Sequence, residues 1–291
     1  MSFDVLQQKI ELFENPTVVG LDPTRELIPR SLLIDAGSSV NAYLKFNRVL
    51  IDALCDIVPA VKPQAAYYER LGPVGMQVLQ NTCDYALNRG MYVILDAKRG
   101  DIGSTATAYA EAYLGADADY AVDAITVNGY LGSDGILPFY DAAKKHDKAI
   151  FVLAKTSNPS SGELQDLLVG ENRVYELVGD LLEKLGADSV GEYGYSRLGA
   201  VVGATYPEEL KNLRDRLPHT FFLVPGYGAQ GGGAKDVAGA FDENRCGAVI
   251  NSSRAIIGAW NKTGKQGDDF AEAARAEALR MRDDLRKELR Y

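Results

Sequence analysis

Eight short runs of aliphatic and β-branched residues recur along the chain, and their spacing is the strongest constraint on its fold. They are TVVGLDP from Thr17, PAVKPQ from Pro59, YVILDAK from Tyr92, AITVNGY from Ala124, AIFVLAKT from Ala149, LGAVVGAT from Leu198, FFLVPG from Phe221 and GAVINSSR from Gly247. Near-continuous apolar runs of this length read as strands covered on both faces. Most are separated by segments of helical period: Val40, Tyr43, Leu44, Leu50, Leu54 and Ile57 after the first run, and Val74, Val78, Leu79 and Leu87 after the second. The run starts advance by about 33 residues per step, the size of a βαβ unit. An open doubly wound sheet usually carries five or six parallel strands, whereas eight consecutive βα units close into a (β/α)8 TIM barrel. The expectation is therefore α/β, one barrel domain over residues 1–291 with an N-terminal helical extension. No internal repeat or low-complexity linker divides the chain. The last segment, Asp268 to Leu289, mixes charges on a helical period and reads as an outer helix with one solvated face.

Charge and cysteine content narrow the function. With 31 basic against 40 acidic side chains the net charge is −9, which disfavours a nucleic-acid or anionic-membrane partner. Cys55, Cys83 and Cys246 are odd in number and far apart, supporting neither a disulfide framework nor a zinc set, so a reducing cytoplasm is expected. The N-terminus offers no signal-peptide core, and no stretch approaches the roughly 20 apolar residues that span a bilayer. Only His146 and His219 are imidazoles. Proton traffic in an enzyme of this composition runs more naturally through lysine and carboxylate.

In a barrel the chemistry sits where strands end, and here those ends are polar. The third run closes on Asp96-Ala-Lys98-Arg-Gly-Asp101. Alternation puts Tyr92, Ile94, Asp96 and Lys98 on one face and Val93, Leu95 and Ala97 on the other, so Asp96 and Lys98 point into the barrel mouth. A structural ion pair at a strand end would need no more than this. Asp22 closes the first run, and Lys62 stands in the second, where a lone buried ammonium is seldom tolerated. Convergence of these groups gives an alternating cluster in which carboxylates keep the lysines protonated. A protonated lysine beside a developing carbanion both stabilises the charge and supplies a proton.

The last two strand ends look built for phosphate. Pro225 opens a loop with Gly226, Gly228, Gly231, Gly232 and Gly233, whose bare amides can close on an anion, with Gln230 as a further donor. Ser253 and Arg254 follow the eighth run, and arginine can grip phosphate through two bonds. Gly226, Gly228 and Gly231 also match G-x-G-x-x-G, but at the seventh unit and without a following acidic residue for a ribose, so a nicotinamide cofactor is disfavoured. After the fifth run, Thr156 to Gly162 serves either as a turn and cap or to present Ser157 to a polar heterocycle. Asp22, Asp96 and Asp101 leave a Mg2+ site open, and nothing in the sequence requires one.

The segments LDAKRGDIGSTA, TSNPSSGELQ, VPGYGAQGGG and NSSRAI, in this order at successive strand ends, resemble orotidine 5'-phosphate decarboxylases of the longer bacterial branch. The resemblance spans Gly20 to Ile256. It implies conversion of orotidine monophosphate to uridine monophosphate and CO2 in pyrimidine synthesis, without cofactor or metal. It implies Lys98 as proton donor to C6, a buried ammonium between acidic neighbours, with Asp96 facing the departing carboxylate. Lys62 and Asp22 would hold the ribose hydroxyls. Asp101, Ile102 and Thr105 would be lent to a neighbour's site across a two-fold homodimer. Ser157 would address the pyrimidine amide, and Gln230, Ser253 and Arg254 the phosphate. Many members have glycine where Ser253 stands, which affects only its assignment as a backbone donor. Two other readings fit less of the sequence: a Mg-dependent aldol-type phosphosugar enzyme of the same superfamily, and a catalytically silent nucleotide-binding barrel.

Overall fold

The computed structural model describes residues 1–205, 207–228, 232–265 and 267–290. Its eight long-range strands are β1 (Thr17–Leu21), β2 (Ala60–Pro63), β3 (Tyr92–Arg99), β4 (Ala124–Val127), β5 (Ala149–Lys155), β6 (Leu198–Val202), β7 (Phe222–Pro225) and β8 (Ala248–Ser252). Each pairs in parallel with the next, and β8 pairs with β1 through Val18 opposite Asn251, so the sheet closes into the expected barrel. Every strand begins at, or one residue after, the start of its apolar run. The reason is burial on both faces: all five residues of β1 and all five of β6 are buried.

The two faces separate as alternation requires. Val18, Ala60, Tyr92, Ile94, Ala124, Ala149, Phe151, Leu223 and Val249 fill the interior. Val19, Val61, Val93, Leu95, Ile125, Ile150, Val224 and Ile250 pack outward against helices. Those helices are α2 (Ser39–Leu54), α3 (Pro73–Asn88), α4 (Gly103–Leu114), α5 (Ser133–Lys145), α6 (Val174–Gly186), α7 (Pro207–Arg216) and α8 (Phe270–Leu289), while β7 and β8 are joined through the one-turn helix Ala234–Val237. Start signals are local: Ser38 accepts the Asn41 amide at the head of α2, and Pro73 occupies the first turn of α3. Val74, expected on the apolar stripe of α3, is 46% exposed because it stands in the first turn, and Val78, Leu79 and Cys83 carry the contact instead. In α8, Ala274, Ala278, Met281 and Leu285 form the buried face under a charged outer one.

One end of the barrel is plugged by α1 (Ser2–Phe13). Its Phe3 ring lies 4.8 Å from both Phe151 and Phe221, with Leu6 and Ile10 alongside, and Ser2 Oγ meets Tyr92 Oη at 2.7 Å. These contacts reach the N-terminal ends of the strands, leaving the C-terminal mouth open for chemistry. Two backbone irregularities shape that mouth. The β3–β4 register slips between Leu95 and Arg99, and the β5–β6 register slips between Leu153 and Lys155.

Candidate active site

The site is organised around Asp96, on the interior face of β3 and only 8% exposed. Its Oδ2 accepts from Lys62 Nζ at 2.8 Å and its Oδ1 from Lys98 Nζ at 2.6 Å. Lys62 comes from β2 and has a side chain 5% exposed. Burial alone would lower the Lys62 pKa, but the Asp96 carboxylate and then Asp22 outweigh it, so the ammonium is held above its ordinary value. For Asp96, burial works against the carboxylate, and Lys62 and Lys98 together reverse this and hold it well below the usual carboxylate range. The cluster is a stable plus–minus–plus array rather than three independent charges.

Lys98 reaches the mouth by a different route from simple alternation. Leu95 stands opposite Ile125 and Arg99 opposite Val127, so four steps on β3 span two on β4, and Lys98 takes a left-handed φ of +47° in the resulting bulge. Its side chain is 44% exposed, against 5% for Lys62. The expected burial of the Lys98 ammonium is thus corrected: the bulge lifts it to the open rim, and the buried ammonium is Lys62. Asp22 follows β1, where Gly20 and Leu21 pair with Lys62 and Pro63. Its Oδ1 is buried without a hydrogen-bond partner among the described residues, leaving acceptor capacity next to Lys62.

A cavity of about 720 Å3 opens above this array, lined by Lys62, Asp96, Lys98, Ser157 and Pro225, with Leu153, Val201 and Leu223 among its apolar surfaces. That is the size and character of a small-ligand pocket with a few converging polar groups. The loop carrying Ser157 is pinned by a pair of bonds, Thr156 N to Gln165 Oε1 at 2.9 Å and Gln165 Nε2 to Thr156 Oγ1 at 2.7 Å. Behind it, a Cβ on Gly203 would stand 3.0 Å from Ser157 Cβ, so the glycine gives the loop its room.

The residues expected to meet an anion stand at neighbouring strand termini. Gly226 and Gly228 have φ of +112° and +78°, conformations that glycine supplies freely. Gln230 lies outside the described residues. Ser253 packs onto β1 so closely that a Cβ on Gly20 would stand 1.7 Å from its Oγ. Arg254 starts the one-turn helix Arg254–Ile257 with an exposed side chain that pairs with no described carboxylate. Asp101, Ile102 and Thr105 do not line the cavity. Asp101 Oδ1 accepts the Ile102 amide at 2.8 Å, Ile102 is 54% exposed, and Thr105 is exposed on α4.

No reading of the sequence singled out Thr126 or Gln165. Thr126 shares the parity of interior Ala124 at the end of β4, and its hydroxyl bonds Asp96 Oδ1 at 2.9 Å. A hydroxyl at an interior position of a strand terminus was the available signal.

The match with known proteins extends well beyond these residues. The family model described as orotidine 5'-phosphate decarboxylase / HUMPS family matches residues 16–266. The orotidine 5'-phosphate decarboxylase of Rhodopirellula baltica is 46% identical over 283 residues, 93% of this chain and 94% of that protein. That of Clostridium perfringens is 42% identical over 289 residues, covering 99% of each. The OMP decarboxylase structure from Leishmania donovani superimposes with a TM-score of 0.74 at 32% identity, covering 97% of this chain and 98% of that one. A barrel with this carboxylate–lysine array at its mouth, matched along nearly its whole length, belongs to the orotidine 5'-phosphate decarboxylase / HUMPS family.

Proposed function

We infer that this member of the family decarboxylates orotidine 5'-monophosphate to uridine 5'-monophosphate and CO2, with Lys98 as the proton donor. The observation that carries the reading is the Lys62–Asp96–Lys98 array at the cavity, with the Lys98 ammonium on the open side. Cleavage of the C6–carboxylate bond leaves its electron pair on a ring carbon with little delocalisation. An ammonium about 4 Å away lowers the energy of that charge by roughly 4 kcal/mol at an effective dielectric near 20, nearly three decades in rate. The same ammonium then gives its proton to C6, and neutral Lys98 recovers one from solvent at the exposed rim. Asp96 stays ionised because Lys62 neutralises it from the buried side, so it faces the substrate carboxylate as a fixed negative charge.

The remaining groups fit the same substrate. Lys62 and Asp22 hold the ribose hydroxyls and Ser157 addresses the pyrimidine amide, a reading supported by Lys62 and Ser157 lining one cavity with Asp22 beside Lys62. Pro225 forms a wall beside it. Gln230, Ser253 and Arg254 take the phosphate, and binding energy from that remote group can be expressed at the transition state. Asp101, Ile102 and Thr105 act in a second copy across a homodimer. Their place outside their own cavity supports this, as does the exposed apolar surface of Ile102, Tyr130 and Leu131 nearby. Neither metal nor organic cofactor enters the scheme. The cytoplasm suits free Cys55, Cys83 and Cys246, and among the described residues no helix is long and apolar enough to cross a membrane.

An absorbance assay on orotidine monophosphate, with and without EDTA, tests the reading. Turnover unaffected by chelator and abolished in Lys98→Ala is expected. Near wild-type turnover by Lys98→Ala would remove the proposed chemistry. Loss with EDTA and rescue by Mg2+ would favour the phosphosugar enzyme, and tight uridine monophosphate binding without turnover would favour a silent barrel.

A further inference from the structure

Thr126 is 1% exposed and touches both the backbone of the lysine assigned above as proton donor and the carboxylate that holds its ammonium. Its Oγ1 accepts from the Lys98 backbone N–H at 2.9 Å and donates to Asp96 Oδ1 at 2.9 Å. The direction of both bonds is forced. An amide N–H can only donate and an ionised carboxylate can only accept, so the single hydroxyl proton is committed to Asp96 and a lone pair to Lys98. The oxygen it reaches, Asp96 Oδ1, also receives the Lys98 ammonium at 2.6 Å. One hydroxyl therefore closes a ring through the backbone of Lys98, its side chain and the carboxylate.

The bulge explains why such a grip is needed. Between Leu95 and Arg99 the β3–β4 register slips, so the regular ladder is interrupted at Lys98, and the residue takes a left-handed φ of +47° that a non-glycine residue adopts only when its surroundings enforce it. Asp96 Oδ2 is already fixed by Lys62, which leaves Oδ1 as the oxygen whose placement aims Lys98. A valine at 126 would match the shape of threonine while leaving the Lys98 amide and Asp96 Oδ1 each one partner short.

We propose that Thr126 is a positioning residue for the reaction: its hydroxyl holds the Lys98 backbone in the bulge and sets the Asp96 oxygen that aims the ammonium at the substrate. The proposal rests on the reading of Lys98 as proton donor.

The test compares wild type, Thr126→Val and Thr126→Ser by steady-state decarboxylation, calorimetric affinity for uridine monophosphate, and thermal midpoint. Thr126→Val should lower kcat about 10- to 100-fold, the loss that follows from removing a hydrogen bond to a charged group. Its KM and product affinity should stay within about twofold, because the aim of the ammonium matters in the transition state and hardly in binding. Thr126→Ser, which keeps the hydroxyl, should recover most of the rate. If valine fails to fold, Thr126→Ala removes the hydroxyl without placing a second branch against the carboxylate. An unchanged kcat in a folded variant lacking the hydroxyl would overturn the inference. So would a serine enzyme as impaired as the valine one, or parallel loss of rate and product affinity. A wild-type chain that does not decarboxylate orotidine monophosphate would overturn the functional reading itself, and this inference with it.

Discussion

Replacing Asp96 by Asn keeps the shape of the side chain and removes its charge, so it isolates what the carboxylate does for Lys62. In the native protein Lys62 is held above its ordinary pKa, although burial, the largest single influence on it, pulls the other way. The nitrogen lies 2.8 Å from Asp96 Oδ2. At an effective dielectric near 20 that attraction favours the charged form by about 6 kcal/mol. In Asp96→Asn the main charge left to oppose burial is Asp22, with Tyr67 a smaller influence, and the Lys62 pKa should fall below its unfolded value, near 10.4. The two proteins then have opposite pH linkage. In wild type the folded pKa exceeds the unfolded one, so the contribution of Lys62 is complete below the unfolded pKa and is lost as pH rises through the folded value. In the variant the folded pKa is depressed, so stability is lost as pH falls from about 10.4 through that value. The variant should therefore be about 3–5 kcal/mol less stable than wild type at pH 7, the cost of breaking a buried pair. Its deficit should shrink as pH rises from the variant's depressed Lys62 value toward about 10.4. A second narrowing is expected in acid. Asp96 is depressed in the native state, and its contribution disappears from wild type as pH falls from the ordinary carboxylate value through the native one. Denaturant unfolding of both proteins between pH 3 and 10 measures the difference directly. A deficit constant to within about 0.5 kcal/mol from pH 7 to 10 would refute the claim that Asp96 is what keeps Lys62 charged.

Other perturbations probe the rest of the mouth. Gly20→Ala would place a Cβ 1.7 Å from Ser253 Oγ, so it should displace Ser253 and raise KM about 10-fold, visible in steady-state kinetics with the fold intact by circular dichroism. Arg254→Ala should lower kcat/KM about 10- to 150-fold through lost charge-assisted contacts to the phosphate, while a nucleoside substrate lacking phosphate should show little difference between the two enzymes. Lys98→Ala and Asp101→Ala chains should each be inactive alone, and after subunit exchange should recover up to about a quarter of wild-type activity if two-fold sites are shared. No recovery despite demonstrated exchange would place Asp101 in its own chain's chemistry.

The parts of this molecule that sequence displays and the parts it hides differ in range. The strands are visible because burial on both faces demands unbroken runs such as AITV and LGAVV, and the charged site is visible because Lys62 and Asp96 interrupt such runs where an unpaired charge would be intolerable. What stays hidden is where the backbone leaves the regular ladder. Strict alternation from Ala149, Phe151 and Leu153 would send Lys155 into the barrel mouth beside Lys62. Instead the slip between Leu153 and Lys155 turns it toward the helices, where it is 1% exposed, bonded to Asp166, 3.7 Å from Glu209 and over the Tyr175 ring at 5.0 Å. The matching slip on β3 has the opposite consequence, keeping Lys98 at the mouth in a backbone conformation that alternation does not contain. Two lysines at the ends of two similar strands thus part company, one braced outside the barrel and one aimed into the cavity; locally the runs differ in that Asp96 stands two residues before Lys98 and Leu153 two before Lys155, which shows a carboxylate for Lys98 but not the backbone slip. The difference is set by what the neighbouring strand offers. Across from Lys98 stands the Thr126 hydroxyl, able to replace the missing ladder bond, whereas β6 runs Ala200, Val201 and Val202 with no polar side chain to do the same. A threonine in a β-branched run reads as strand propensity, and its second use emerges only when β3 and β4 are laid side by side. The chemistry of the site is therefore written in single residues, but its aim is written in pairs of strands.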